Sequence, residues 1–453
     1  MGGVKLYLSG LGPIKEGEIE LGDVTIFIGG PNSGKSTALK ALFYSLYCPK
    51  NVISLKGRGL KVGGDGLIQK FVLDWRKTKE NYENYVKKVL PGTGFGLKPL
   101  NVSDFITSRK LSYMENDIPV RLHPIRLPEP CKGEEKVTPL LEDLKYDLTL
   151  NGFQGTAEVK VDVNDVKCIK NKGVLSVLST AFIREIEKHV GEVYCREFGK
   201  SVFRELGVED VVYVPNNRSL LVLQKLLSEN IEKGSGIEPV LDPVFELAGL
   251  DHIKEYYNGL GKFNSKVYGL FKPVLKGELK YVGDELVYVE DDSVIPWPQV
   301  SDSVLEVLSL VLPVRRKSLL LIEEPGAGLH EKEQLLIGMA LYALSSTRPV
   351  VITTNTQSIF YTVTHLSYLK PKESELRDLF VDLGLKDYNE LVNGVVNANK
   401  KDVKVRVYYF NNGKAEEVDV EGAMKGMPGT IDFLEKEFKW FSDLHSKRLF
   451  GAE

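Results

Sequence analysis

Cysteine is scarce in this sequence. Cys48, Cys131, Cys168 and Cys195 form no C-x-x-C pair, which leaves neither a disulfide framework nor a zinc site. His123, His189, His252, His365 and His445 show no metal-ligand spacing and read as ordinary surface or core residues. No stretch reaches the roughly 18 consecutive apolar residues of a membrane span. Met1 to Lys5 lead into no apolar signal core, and Leu6 and Tyr7 stand where a myristoylation motif beginning at Gly2 wants Ser or Thr. The expectation is a cytoplasmic protein without membrane insertion. Charge is not one-sided either: the net value of −3 excludes a generally basic nucleic-acid binder. Arg315-Arg316-Lys317 is a local triplet, readable as a solvated turn before a strand or as a small patch that touches phosphates.

What is present suits a folded globular chain. Its 453 residues are 43% hydrophobic and 27% charged, long enough for two or three structural units. Three short strands are expected at Val4 to Ser9, Glu18 to Leu21 and Val24 to Ile28, then a helix from Ser36 to Tyr47 with Leu39, Leu42, Phe43 and Leu46 at helical spacing. Residues 51–140 show weak periodicity and read as a variable insertion. Alternation from Tyr146 to Cys168 predicts hairpins, and a helical pattern begins near Gly173. Val211 to Val214 read as a buried strand ending at Pro215. Further on, Asp302 to Val311 (helix), Leu319 to Ile322 (strand), Lys332 to Leu344 (helix) and Val350 to Thr353 (strand) alternate as in a mainly parallel α/β sheet. A last hairpin is expected at Asn411-Asn412-Gly413 and a closing helix from Ile431 to about Leu444.

The strongest motif is Gly29-Gly30-Pro31-Asn32-Ser33-Gly34-Lys35-Ser36-Thr37, placed between an apolar strand and a helix. Gly29, Gly34, Lys35 and Ser36 meet the phosphate-loop pattern G-x-x-x-x-G-K-[ST]. Glycines at these places let successive amides point at phosphate oxygens, and the helix N-terminus adds positive potential. Lys35 is then expected to neutralise the phosphates, Ser36 to offer its hydroxyl to Mg²⁺ and Thr37 to reach the α-phosphate. A second constellation is Ser318-Leu319-Leu320-Leu321-Ile322-Glu323-Glu324-Pro325, an apolar strand ending in two carboxylates. Adjacent strand residues point to opposite faces, so the pair divides into two roles: Glu323 for the metal and Glu324 for polarising the attacking water. Taken alone, the pair could be a charged loop after a buried strand; beside a phosphate loop it suits hydrolysis.

The phosphate loop, the strand ending Glu323-Glu324-Pro325, the following Gly328-Leu329-His330 and the later Val351-Ile352-Thr353-Thr354-Asn355 together resemble the ABC-class ATPases of the SMC, RecF and OLD branch. The likeness spans roughly the first 50 residues and 210 to 360. It implies a P-loop NTPase of the ABC-ATPase type: an α/β fold with a mainly parallel central sheet, an antiparallel β subdomain, a helical lobe and a variable insertion. With the patterns along the chain, residues 1–50 are expected to begin the ATPase lobe, 141–170 to add a β-hairpin part to it, and 171–275 to form the helical lobe with a core strand near 211–215. Residues 276–370 complete the ATPase lobe, and 371–453 form a C-terminal α+β tail.

The resemblance also assigns roles. Gly328-Leu329-His330 corresponds to the loop that crosses to a second subunit. The signature helix, whose start meets a γ-phosphate held by the partner, corresponds to Pro298 to Glu306, with Ser301 and Ser303 as contacts. Ser303 replaces the family's glycine and Asp302 adds a negative charge. Ser303 with Glu306 also spells a capping box, with Ser301 as an alternative cap, so plain capping and phosphate binding both stay open. At the switch position a histidine is usual and Asn355 stands here, able to donate a hydrogen bond but not to carry a proton. Arg218, in Pro215-Asn216-Asn217-Arg218, is expected either to face nucleotide or partner, or to make a structural ion pair.

The expected function is thus a Mg²⁺-dependent ATPase that forms a homodimer on binding ATP, with Lys35, Glu324 and Asn355 catalytic. A transporter's ATPase subunit, or a nucleotide-gated module with little hydrolysis, are the alternatives. No N-K-x-D motif points to a GTPase, and the paired glutamates suit hydrolysis better than a kinase's transfer. The resemblance brings nucleic-acid maintenance and defence into view, with a nuclease or DNA as partner. The tail itself, with Asp382, Asp387, Asp419 and Glu421, shows no nuclease cluster.

Overall fold

The computed structural model describes residues 5–47, 53–63, 66–89, 92–98, 111–121, 140–149, 152–160, 207–216, 218–223, 264–283, 285–314 and 317–424, with isolated positions between 176 and 260 and at 439–440. All four cysteines, Arg315-Arg316, and most of the helices expected within 173–275 and 431–444 lie outside the described residues. The described chain opens with β1 (Lys5–Leu11), β2 (Ile14–Glu20), β3 (Val24–Gly29), α1 (Lys35–Leu46), β4 (Leu55–Gly63), β5 (Gly66–Leu73), α2 (Trp75–Val89) and β6 (Gly92–Lys98). It continues through β7 (Leu111–Arg121), β8 (Leu140–Thr149), β9 (Gly152–Lys160), β10 (Asp210–Val214), α3 (Ser265–Phe271), β11 (Glu278–Val282), β12 (Glu285–Glu290), β13 (Ser293–Ile295) and α4 (Asp302–Val311). Next come β14 (Ser318–Glu323), α5 (Glu331–Leu344), β15 (Val350–Thr353), α6 (Gln357–Leu369), α7 (Glu373–Asp382), α8 (Asn389–Lys401), β16 (Val405–Asn411), β17 (Lys414–Val418) and α9 (Val420–Met424).

Two compact units result, one of Met1–Tyr47, Val89–Pro99 and Val202–Glu453, the other of Cys48–Lys88 and Leu100–Ser201. The first is built on a nine-stranded sheet in the order β10-β14-β15-β3-β16-β17-β2-β1-β6. Its first five strands are all parallel. β3, β14 and β15 are buried at every position, which is why they read as unbroken apolar runs rather than alternating ones. Alternate residues still serve different faces. Val24, Ile26, Ile28, Leu320, Ile322, Val350 and Ile352 share one core cluster with side chains of α5, α6 and α8. Phe27, Leu319, Leu321 and Val351 are equally buried; by strand alternation they lie on the opposite face, where α1 packs across β10, β14, β15 and β3. Burying each such side chain contributes roughly 1.5–3 kcal/mol. Helices on both faces of a mainly parallel sheet, with a phosphate loop between β3 and α1, define the α/β fold of the P-loop NTPases.

Three boundaries differ from the sequence reading. β6, inside the stretch read as insertion, pairs antiparallel with β1 at the edge of the large sheet. The β8–β9 hairpin, read as part of the ATPase lobe, instead belongs to the second unit. There it pairs with β5 in an antiparallel five-stranded sheet of order β4-β5-β9-β8-β7. The tail from 371 is no separate module either: β16 lies directly beside the phosphate-loop strand β3, in parallel. Its hairpin partner β17 follows a two-residue turn, Asn412-Gly413, with φ of 50° and 82°. Two successive left-handed residues match the twist of a tight hairpin, a role Asn-Gly fills without strain.

Candidate functional site

Strand β3 ends at Gly29 and delivers the phosphate loop to the carboxyl edge of the parallel strands. α1 begins after Gly34, whose φ of 108° places it in a conformation that side chains resist; a Cβ there would sit 2.5 Å from Ile14 Cγ1. No side chain caps α1 and no acidic residue occupies its first turn, so its leading amides are free of local competition for an anion. Gly30, Pro31 and Asn32 are exposed, Ser33, Ser36 and Thr37 half-buried, and Gly34 and Lys35 buried. Lys35 Nζ folds back onto the loop, donating to the carbonyls of Gly29 at 2.7 Å and Gly30 at 3.0 Å. Burial lowers its pKa, and the charge of Glu324 opposes that shift. Ser33 Oγ is buried with no hydrogen-bond partner among the described residues.

β14 brings the two carboxylates to the same edge. Glu323, its last residue, falls by alternation on the α1 face with Leu319 and Leu321. One of its oxygens, Oε2, accepts from the backbone amide of Asn216 at 3.0 Å. The other, Oε1, is buried with no hydrogen bond among the described residues. Near it stands Tyr213 of β10, whose phenol is held protonated by burial first and by the Glu323 carboxylate second. Glu324 has left the strand with φ of 44°. Its amide donates to Thr353 O at 3.0 Å, and its Oε2 accepts from the backbone amide of Asn355 at 2.9 Å. Burial raises the Glu324 pKa; the Asn355 amide and the Lys35 charge hold the rise back, and Glu323 adds to it. A carboxyl whose pKa is raised by burial, next to a buried lysine, could act as a general base.

The structure therefore brings Lys35, Glu323, Glu324 and Asn355 together at one edge. Arg218 makes the structural ion pair that was one of its two readings: its side chain is fully buried, with Nη1 donating to Glu323 O at 2.6 Å and Pro215 O at 3.3 Å, and Nη2 to Glu324 O at 2.9 Å. Nη2 also stands 2.6 Å from Glu306 Oε2 as an ion pair. Arg218 thus holds the backbone beneath the two carboxylates. The Ser303–Glu306 capping box is corrected. α4 starts at Asp302 with Ser301 at the cap position, where its side chain makes no cap bond. Ser303 Oγ donates to Glu333 Oε1 at 3.0 Å, and Glu306 accepts from Ser219. Competing partners in space outweighed the local pattern. In Gly328-Leu329-His330, Leu329 is buried and His330 caps α5 with Glu333.

Sequence reasoning missed Tyr213 and the amide of Asn216 as neighbours of Glu323. The only signal was a polar hydroxyl inside the apolar strand Val211 to Val214. An orphan carboxylate oxygen on Glu323 and the half-buried Ser36 hydroxyl could hold an oxygen-seeking cation such as Mg²⁺. Among the described residues no group of three or more His, Cys, Asp or Glu could hold a metal, so water and phosphate oxygens would complete such a shell. The loop amides and Lys35 could hold a triphosphate.

Phosphate-loop pattern, strand order and paired carboxylates together give the chain an α/β fold of the P-loop type. No family model and no curated protein matches it. Among solved structures it is similar to an SMC head bound to the C-winged helix domain of ScpA, with 12% identity, a TM-score of 0.32, and 93% of this chain and 99% of that one covered. It is also similar to the SMC head domain from Thermotoga maritima, with 11% identity, a TM-score of 0.26 and coverage of 91% and 97%. A third is the Smc head with an extended coiled coil bound to the C-terminal domain of ScpA derived from Pyrococcus furiosus, at 12%, 0.28, 93% and 97%. Among the described residues no helix is long and apolar enough to cross a membrane.

Proposed function

We propose that this protein is a magnesium-dependent ATPase of the ABC class that forms a head-to-tail homodimer on binding ATP. One observation carries the reading: Lys35, Glu323 and Glu324 meet at the carboxyl ends of β3 and β14 in a single parallel sheet. In this reading the α1 amides and Lys35 cradle the β- and γ-phosphates, Lys35 leaving its carbonyl partners for phosphate oxygens. Ser36 and Glu323 hold the cation, which when bound neutralises charge on the β- and γ-phosphates. Glu324 accepts a proton from the attacking water, steadied by the amide of Asn355. The exposed start of α4, with Ser301, offers a helix N-terminus to a partner's γ-phosphate. Phosphate release measured with MgATP and with ATP in excess EDTA, alongside mass by light scattering with and without ATP, tests this. Release that ignores magnesium, or a mass that ignores ATP, removes the corresponding part. The same assay with and without duplex DNA asks whether nucleic acid is a partner.

A second reading, ATP as a slow switch, is favoured by Asn355, whose side chain cannot carry a proton. ATP-dependent dimerisation without measurable phosphate release would select it.

A further inference from the structure

Five oxygens converge on the Arg218 segment, and all belong to elements that frame the candidate site. The guanidinium holds the carbonyls of Pro215, Glu323 and Glu324, and pairs with the Glu306 carboxylate of α4. Two residues earlier, the Asn216 amide holds the Glu323 carboxylate itself. Arg218 is wholly buried and Glu306 nearly so. Neither touches solvent enough to be a surface ion pair.

The consequence lies in the backbone at Glu324. A φ of 44° is unfavourable for a glutamate and persists only where its surroundings over-determine it. Here the amide side is fixed by Thr353 and the carbonyl side by Arg218 and Ala327. The planar fork reaches two successive carbonyls at once, which a lysine's single ammonium cannot reproduce. Glu306 fixes the fork from α4, one turn beyond the exposed start of that helix.

We propose that Arg218 is a positioning residue that sets the conformation of the Glu323-Glu324 step, and that Glu306 ties this setting to α4, so that helix and carboxylates shift as one body. A partner phosphate drawn to the start of α4 would then adjust Glu324 through two buried side chains. The proposal rests on the reading of Glu324 as the water-polarising base.

Arg218→Lys keeps the charge and loses the fork; Glu306→Gln keeps the shape and an acceptor for Ser219 and loses the charge. Arg218→Lys is expected to lower kcat by about 10²-fold while ATP affinity stays within about threefold, the mark of misplacement rather than lost binding. Glu306→Gln is expected to lower kcat by about tenfold, and the double variant to be no slower than Arg218→Lys alone, because coupled residues are not additive. Amide exchange across 323–326 should quicken in both variants while that of α1 is unchanged. Wild-type kcat in Arg218→Lys, multiplying effects in the double variant, or joint loss of affinity and kcat with a lowered melting point would overturn the proposal. If the wild-type protein releases no phosphate, the ATPase reading fails by itself. Amide exchange then decides: quickening confined to 323–326 in both variants supports the positioning role, and unchanged exchange there refutes it.

Discussion

The backbone amide of Asn355 donates to Glu324 Oε2 at 2.9 Å, joining the end of β15 to the residue that follows β14. A histidine is usual at this position in the families the sequence resembles, and a side-chain role was expected of Asn355. The contact the structure makes is instead independent of side-chain identity, because any residue but proline supplies that amide. Asn355→Ala is therefore expected to leave kcat within about fivefold of wild type. A loss approaching that of a Glu324 variant would return the role to the side chain.

Lys35 is the buried cation of the phosphate loop, held by two carbonyls that a phosphate would replace. Replacing it with Ala removes a charge-assisted contact and should weaken ATP binding by about 10²-fold, read by calorimetry. Unchanged affinity would place the triphosphate elsewhere.

Glu324→Gln should keep ATP affinity and lower kcat by about 10²- to 10⁴-fold. The pH profile follows from the direction of the shift. Burial raises the Glu324 pKa above its ordinary 4.5, and hydrolysis needs the charged form. The rate should thus fall with acid through a midpoint above 4.5, and this limb should vanish from the residual rate of Glu324→Gln. An identical limb in both proteins would assign it to another group.

His252 offers a stability test away from the site. It is buried beneath the α1 aromatics, its Nδ1 2.9 Å from the Tyr44 hydroxyl and its ring 4.9 Å from that of Tyr213. Burial, with Lys40 adding to it, lowers its pKa from 6.5 to about 3. The unfolded chain takes up a proton near 6.5 and the folded chain does not, so the stability from neutral His252 is complete above 6.5 and is lost as pH falls toward 3. Between pH 6.5 and 4 this amounts to about 3 kcal/mol, measurable as a shift in urea midpoint. His252→Gln, which can still meet Tyr44, should show a correspondingly shallower slope; an equal slope would refute the assignment.

The phosphate loop and the strand ending Glu323-Glu324 were legible because their information is local: a glycine spacing, a lysine, an apolar run with acids at its end. β14, β15 and α4 fell within a residue or two of where periodicity placed them. Helices α6 to α8, by contrast, were not anticipated. Nor was the place of the tail. The Asn412-Gly413 turn announces a hairpin, but not that its first strand pairs with β3 across hundreds of residues. For the same reason the hairpin expected within 141–170 of the ATPase lobe pairs with β5 in the second unit instead: alternation marks a strand but does not name its partner.

By itself, then, the sequence determined the motifs that would bear the chemistry: a phosphate-loop pattern at Gly29 to Thr37 and two carboxylates after an apolar strand, each read from neighbours in the chain. Only the tertiary structure decided what steadies that chemistry. Arg218 looked equally suited to a nucleotide or to an ion pair, since its charge permits both. Folding buries it against Glu306 and the carbonyls of Glu323 and Glu324, because a guanidinium takes the partners brought within hydrogen-bond reach, and no spacing along the chain records them.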